Sequence, residues 1–209
     1  MFSASLALPV LKKIILIRHG STKLNGSSSS SHDKIRGWQD VPLDDRGVLE
    51  AHKAAKELSK FHATALYSSD LSRASNTAAI LAHDAGIPLS PSHITQYFRP
   101  WNLGKFNGQE SSKAASQIQK YTEQPSVAVP GGESFHDFER RFFRGLKMLC
   151  GMPGIPALVT HYRCFCLLDA WAQGGYQPNG SIDHGKFNKH GDAPGHVKEF
   201  DVPVERIPS

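Results

Sequence analysis

The sequence predicts an α/β fold in which helices flank a layered, mostly parallel sheet. Short apolar segments typical of strands alternate with longer segments whose apolar residues recur at helical spacing. The segment 14–17 is apolar on both faces, which is typical of a strand covered by helices on both sides, and 156–160 is a second buried segment. With 209 residues the chain can form one sizeable core, so we expect a single domain over residues 1–209.

Each helix in this prediction is supported by apolar periodicity and by residues that start or end helices. Asp44 or Asp45 can cap the first helix, and Gly86 can end the second. In the first half of the chain we expect a strand at 14–17, a helix from about 44 to 61, a strand at 63–67, a helix from 68–70 to 86 and an irregular segment at 94–108. In the second half we expect a weak helix at 109–121, a stronger helix from 133 or 134 to about 150, a strand at 156–160, a helix from 163 to about 172, a loop at 174–195 and a final strand at 196–202. Five consecutive serines within residues 26–32 predict a flexible loop.

Composition and charge indicate which class of binding partner suits this chain. The chain has 24 Lys and Arg residues against 19 Asp and Glu, a net charge of +5 that favours small anionic ligands mildly. It lacks the dense basic pattern with interleaved aromatic residues that is typical of nucleic-acid binders. Three cysteines without zinc-type spacing predict free thiols in a reducing compartment, and no apolar run is long enough to span a membrane. We therefore expect a cytoplasmic protein with a small-molecule substrate; the sequence does not indicate its oligomeric state.

Basic residues follow three of the predicted strands. Arg18 and His19 end the first, Arg73 follows the second by one helical turn, and His161 ends the strand at 156–160. Because ligands bind at the carboxyl edge of open α/β sheets, we expect these four side chains to meet there.

Two guanidinium groups and two imidazoles at one edge suit phosphoryl transfer. Guanidinium groups match phosphate oxygens, and a neutral imidazole can attack phosphorus while a second imidazole donates to a phosphate oxygen. This predicts covalent catalysis through a phosphohistidine, with the arginines supplying the electrostatic stabilisation, so that no metal or other cofactor is required.

The chain resembles the histidine phosphatase (phosphoglycerate mutase-like) superfamily. The matching motifs follow the family's order and are Arg18-His19-Gly20 with Thr22 and Asn25, residues 36–43 (RGWQDVPL) with Gly47, residues 68–74 (SSDLSRA) with Thr77-Ala78, residues 131–134 (GGES), and Val159-Thr160-His161. The resemblance implies a phosphoglycerate mutase-like fold, with His19 as the phosphorylated nucleophile. It also implies a phosphate pocket of Arg18, Arg73 and His161, and substrate-binding roles for Asn25, Thr22, Arg36 and Gly37.

The chain departs from this family at the proton donor. Relatives carry a glutamate at the position of Pro100, and some carry a carboxylate at that of Asn102, but neither residue here can give a proton. Glu110 and Glu133 are the nearest carboxylates in sequence and are the candidates, although Glu133 also suits the first turn of a helix. Without a good acid, alkyl phosphates should be poorer substrates than aryl phosphates or phosphoanhydrides.

Tyr162 and Arg163 follow His161, where the family commonly has a glycine. Arg163 either adds a third cation near the pocket or starts a helix that faces solvent, and we favour the second alternative.

Three functions are compatible with these residues. The first is a phosphatase acting through His19. The second is a phosphoglycerate mutase-type phosphotransferase, which would need the acid and closed walls. The third is an impaired relative that binds a phosphorylated ligand without turnover.

Overall fold

The computed structural model describes residues 11–25, 33–174, 183–187 and 192–208. The predicted serine-rich loop at 26–32 lies outside these residues. The α/β fold is confirmed. Five strands form one sheet in the order β3-β2-β4-β1-β5, in which β5 alone runs antiparallel, against β1.

The bounds of the elements agree with most of the sequence-based expectations. The strands are β1 (Leu11–Arg18), β2 (Ala65–Ser69), β3 (Leu89–Thr95), β4 (Pro156–Thr160) and β5 (Val197–Pro203), and the helices are α1 (Asp45–Leu58), α2 (Ser72–Ala85), α3 (Ser111–Glu123), α4 (Phe135–Cys150), α5 (Tyr162–Ala172) and the short α6 (His184–Phe187). Asp44 caps α1 by accepting from the Gly47 N–H, and Ser134 caps α4 by accepting from the Asp137 N–H.

Different helices cover the two faces of the sheet. On one face, Ile15, Ile17 and Val159 pack with small residues of α1 and α2. On the other, Ile14, Leu16 and Leu158 pack with the phenylalanine-rich side of α4 and with α5. Because alternate residues of β1 and β4 face opposite layers, both strands are apolar throughout their centres.

Three sequence-based expectations were wrong in detail. Residues 94–95 are not irregular but end β3, a partly exposed edge strand whose serines and Pro91 hide the pattern of a buried strand. Ser68 and Ser69 do not open α2 but complete β2, and α2 begins at Ser72. Residues 184–187, expected in a loop, form α6, which is too short to show helical periodicity.

The described residues include no helix that is both long and apolar enough to cross a bilayer.

Candidate active site

The carboxyl ends of β1, β2 and β4 lie side by side at one edge of the sheet. Arg18 pairs with Thr160, Ser68 pairs with Val159, and the His19 N–H donates to the Thr160 carbonyl at 3.0 Å. This register places the imidazoles of His19 and His161 next to each other, with ring centroids 5.0 Å apart. The structure therefore brings together the two histidines that the strand ends predicted.

His19 has one ring nitrogen fixed by the backbone. Its Nδ1 lies 2.7 Å from the Gly20 carbonyl oxygen, which can only accept, so Nδ1 carries the proton and Nε2 keeps its lone pair. The ring is buried, and burial together with the charges of Arg73, Arg36 and Arg18 holds its pKa well below the usual value of about 6.5. His19 is thus a neutral imidazole with Nε2 available as a nucleophile.

Gly20 is needed for the close packing of the backbone after β1. A Cβ at residue 20 would lie 2.2 Å from the Gly47 carbonyl oxygen. The backbone that carries His19 therefore packs directly on the first turn of α1, and a larger residue would displace it.

Arg73 is held rigidly from the start of α2. Its Nη1 donates to the Gln39 carbonyl at 2.8 Å and its Nη2 to the Gly37 carbonyl at 2.9 Å. The side chain is almost fully buried, and its Nε has no hydrogen-bond partner among the described residues. Burial and the charge of Arg36 lower the pKa of Arg73 to about 9. Arg73 is therefore positioned in advance, with one donor left over for a ligand.

Arg18 is held by a backbone carbonyl group and lies against the ring of Tyr162. It donates through Nη1 to the Asp192 carbonyl, and its guanidinium carbon lies 5.2 Å from the centroid of the Tyr162 ring. Burial first, and then the charge of Arg36, lowers the pKa of Arg18 to about 10. Its charge still reaches His19, as the lowered pKa of that ring shows.

His161 stands at the N-cap of α5, where its side chain makes no capping bond. Neither ring nitrogen has a hydrogen-bond partner among the described residues. Burial and the neighbouring charges of Arg73, His19 and Arg36 lower its pKa well below the usual value. An anion at this place would gain both from the imidazole N–H and from the positive end of the α5 dipole.

Five buried nitrogen atoms around His19 lack hydrogen bonds to the described residues. They are Arg18 Nε, Arg36 Nη1, Arg73 Nε and both ring nitrogens of His161. Buried polar groups are nearly always paired in folded proteins, so a cluster of unpaired donors indicates a ligand site. Burial lowers the pKa values of Arg18, Arg36 and Arg73, and the charge of Arg36 lowers those of Arg18 and Arg73 further. A dianion bound among the three guanidinium groups would relieve the repulsion between them.

Apart from Arg18, these residues line one part of a cavity of about 630 Å³. His19, Arg36, Gly37, Arg73 and His161 line that part. The remaining wall is formed mainly by Asp33, Lys34, Pro100, Trp101, Tyr162, Arg163 and a polar side of α3 that includes Ser111, Ser116, Gln119 and Thr122. The cavity is therefore larger than a phosphate ion and leaves room for an organic group against α3.

Thr22 and Asn25 do not line this cavity. The Asn25 side-chain oxygen accepts from the Thr22 N–H at 2.8 Å and from its hydroxyl at 3.2 Å, so the two residues tie the loop after β1 to itself. Asn25 Nδ2 lies 3.5 Å from Asp33 Oδ1. Their contacts support the wall of the cavity from outside it.

Neither predicted carboxylate lines the cavity. Glu133 Oε1 accepts from the Asn102 N–H at 2.9 Å and pairs with Arg141 at 2.8 Å, in contacts that hold the loop before α3. Glu110 precedes α3 and pairs with Lys113 at 2.8 Å. Pro100 does line the cavity, at the place where relatives have their acid, and its carbonyl accepts from the Trp38 indole.

Sequence reasoning missed two charged residues of the wall, Asp33 and Lys34, and favoured the wrong alternative for Arg163. Arg163 does not face solvent as expected but lines the cavity, with its guanidinium carbon 5.4 Å from the Phe187 ring centroid. Asp33 and Lys34 also line it, and no motif marked them. Two signals in the sequence could have indicated these residues. Asp33 and Lys34 are close to Arg36 in the chain, and Arg163 follows His161 and Tyr162 directly at the end of a strand.

A family model confirms the resemblance read from the motifs. The model described as the histidine phosphatase superfamily (branch 1) matches residues 14–184. The chain belongs to this superfamily.

The proteins to which this chain is similar include a probable mutase and, at the level of the fold, a phosphatase. A probable phosphoglycerate mutase, GpmB, of Yersinia pestis (strain Pestoides F) is 28% identical over 165 residues, which are 75% of this chain and 73% of the relative. Two solved structures share the fold. A mycobacterial glucosyl-3-phosphoglycerate phosphatase is 21% identical with a TM-score of 0.69 over 90% of this chain and 89% of its own. A phosphoglycerate mutase from Thermus thermophilus is 24% identical with a TM-score of 0.60 over 90% and 91%.

Proposed function

We propose that this chain is a phosphatase that hydrolyses small phosphorylated substrates through a phosphohistidine on His19. The observation that carries this proposal is the cluster of five unpaired buried nitrogens around a neutral imidazole whose Nδ1 is already occupied. The arrangement combines a nucleophile with preorganised donors for the charge of a phosphoryl group. The arginines supply this stabilisation, so the proposed reaction needs no metal ion.

The proposed reaction has two steps at the same phosphorus atom. His19 Nε2 attacks the phosphorus while Arg36, Arg73 and His161 donate to its non-bridging oxygens, and Arg18, which does not line the cavity, adds its positive charge. The Gly20 carbonyl accepts from Nδ1 and stabilises the positive charge that develops on the ring. Water then attacks the phosphohistidine, releases inorganic phosphate and restores the neutral imidazole.

A mutase-type reaction is the second candidate, and two cations of the cavity wall favour it. Lys34 and Arg163 lie outside the group that surrounds His19, so they could bind a second acidic group such as a carboxylate. The relative from Yersinia pestis is named as a probable mutase. In such a reaction the phosphohistidine returns its phosphoryl group to a hydroxyl of phosphoglycerate in place of water.

A trapping experiment separates these functions. The protein is mixed with p-nitrophenyl phosphate, quenched in alkali, which preserves phosphohistidine, and digested for mass spectrometry, with His19→Ala as the control. We expect phosphate on the peptide that contains His19, its absence in the control, and release of inorganic phosphate. Transfer to added phosphoglycerate would indicate the mutase, and no phosphohistidine with no turnover would leave only ligand binding.

The thiols support the expected reducing, cytoplasmic compartment. Cys150, Cys164 and Cys166 are all free, and burial raises their pKa values to about 11, 12 and 11 respectively. Neutral buried thiols of this kind act as small apolar residues.

A further inference from the structure

The proposed phosphatase reaction leaves one group unassigned, the acid that protonates the leaving oxygen. Pro100 has no acidic proton, Asn102 does not line the cavity, and Glu133 and Glu110 are paired elsewhere. Among the described residues that line the cavity, Asp33 is the only one with a carboxyl group. An acid that serves this reaction has to reach the substrate, so Asp33 is the residue to consider.

Asp33 lies between the phosphate-binding part of the cavity and its α3 wall. On one side, Asp33 Oδ1 is 3.4 Å from Arg36 Nη1, one of the unpaired nitrogens around His19. On the other side, Asp33 Oδ2 accepts from the hydroxyl of Ser111, the first residue of α3, at 3.0 Å. A phosphate oxygen bound to Arg36 Nη1 would therefore lie within about 6 Å of Asp33 Oδ1.

The contacts of Asp33 fix its position but leave its carboxyl group accessible to solvent. Ser111 and Asn25 hold its two oxygens, while about half of its side chain remains exposed, so the carboxyl group can exchange protons with solvent. Arg36 and Lys34 are the charged groups next to it in this part of the wall.

Tyr162 is another proton-bearing group of the described cavity wall. Its phenol is hydrogen-bonded to Cys166, and burial raises its pKa to about 12. A phenol with so high a pKa is a weak proton donor at neutral pH. The geometry therefore favours Asp33 over Tyr162.

We propose that Asp33 is the general acid of this site. As His19 Nε2 forms its bond to phosphorus, the bond from phosphorus to the ester oxygen breaks and its electron pair stays on that oxygen, which takes the proton from Asp33. In the second step water attacks phosphorus, the bond between nitrogen and phosphorus breaks with return of its electron pair to Nε2, and the Asp33 carboxylate takes a proton from the water. Asp33 thereby replaces, from a different loop, the acid that relatives place at Pro100.

The test measures how the rate depends on the leaving group, because a residue that only supports Arg36 would not change this dependence. We compare kcat/KM of wild type, Asp33→Asn and Asp33→Glu on 2,4-dinitrophenyl phosphate, phenyl phosphate and ethyl phosphate. For Asp33→Asn we expect a loss of about 10²-fold or more on ethyl phosphate but less than about threefold on the dinitrophenyl ester, whose leaving group needs no proton. Asp33→Glu should restore part of the activity on ethyl phosphate. Glu110→Gln is the matched control and should leave the dependence unchanged.

Other results would overturn the assignment. An equal loss on all three esters in Asp33→Asn would show a positioning role through Arg36. A steep dependence that is the same in wild type and variant would show that the site has no acid and that alkyl phosphates are poor substrates for this reason. Loss of ethyl phosphate activity alone in Tyr162→Phe would assign the acid to Tyr162. If the wild type hydrolyses none of the esters, the proposed phosphatase function is wrong. If the wild type is active but Asp33→Asn does not change the dependence on the leaving group, only the assignment of Asp33 is wrong.

Discussion

His19 has to be neutral for the nucleophilic role that we propose, and its surroundings disfavour the charged form. Burial and three guanidinium groups all disfavour the imidazolium form. His161 experiences a similar environment, with the addition of His19 itself. Both rings therefore remain neutral over a wider pH range than a solvent-exposed histidine.

At the residue scale, we predict that His19 and His161 titrate below pH 6.5 in the free protein. A lowered pKa means that the neutral ring persists as the pH falls, so the acidic limb of kcat/KM should also lie below about pH 6.5 after correction for ionisation of the substrate. Ring resonances followed by NMR as the pH is lowered from neutral check this, with His19→Ala and His161→Ala providing the assignments. A midpoint at or above the value of an exposed histidine would contradict the electrostatic account.

The same electrostatics applies to phosphate binding. A dianion among Arg18, Arg36 and Arg73 favours the charged forms of all neighbouring bases, so adding inorganic phosphate should raise both titration midpoints. A rise in both midpoints would show that the arginine charges, and not burial alone, lower the pKa values of the two histidines.

At the element scale, α4 combines most of the aromatic core with one unexpected carboxyl group. Phe135, Phe138 and Phe142 pack edge to face or at a tilt along this helix. Glu139 lies among these turns, only 5% exposed, and its Oε1 has no hydrogen-bond partner among the described residues. Burial raises the pKa of Glu139 to about 8.

We predict that Glu139→Gln becomes more stable than wild type as the pH rises. The folded protein keeps the proton of Glu139 up to about pH 8, whereas the unfolded chain loses it near 4.5, so wild type loses stability between these values as the pH increases. The difference should reach a few kcal/mol, since one pKa unit corresponds to about 1.4 kcal/mol. Urea unfolding at a pH near 5 and at a pH near 9 measures it. If the difference in unfolding free energy between the two proteins does not grow with pH, burial does not raise the pKa of Glu139.

Close backbone contacts also belong to this scale. A Cβ at Gly132 would lie 2.2 Å from the Asn102 carbonyl oxygen, so the turn before α4 packs directly on the loop that contains Pro100. Arg141 of α4 reinforces the same loop by donating to the carbonyl groups of residues 96, 97, 99 and 100. Glu133 is thus part of the support of the cavity wall, which explains why a carboxylate considered for the missing acid lies outside the cavity.

At the scale of the whole molecule, the guanidinium groups of Arg18, Arg36 and Arg73 repel one another at one edge of the sheet. This repulsion lowers the stability of the folded protein when no anion is bound. A ligand that binds the folded state alone stabilises it by mass action, by about 2.7 kcal/mol at a concentration of about one hundred times its Kd.

We therefore predict that inorganic phosphate raises the Tm of wild type in a saturable way and that Arg73→Ala removes most of this shift. Chloride at matched ionic strength is the control, because general screening of the +5 chain would act in both proteins alike. A phosphate-dependent shift of equal size in Arg73→Ala would place the anion elsewhere.

The sequence by itself determined the fold class and the basic half of the site. Residues 14–17 and 156–160 are apolar on both faces, which predicts central parallel strands, and the residues that follow such strands meet at one edge. His19, Arg73 and His161 could therefore be placed together from local patterns. The edge strand β3 was not predicted, because its residues satisfy no buried pattern on either face.

Only the tertiary structure decided which carboxyl groups lie in the cavity. Glu133 and Glu110 are near the expected position in the chain, but the turn before α4 and the start of α3 direct them to Arg141 and Lys113. Asp33 lies in a segment without secondary-structure periodicity and reaches the cavity through contacts with Arg36 and Ser111, which is 78 residues away in sequence. Contacts over such separations depend on how whole elements pack, and for this reason no local pattern in the sequence revealed them.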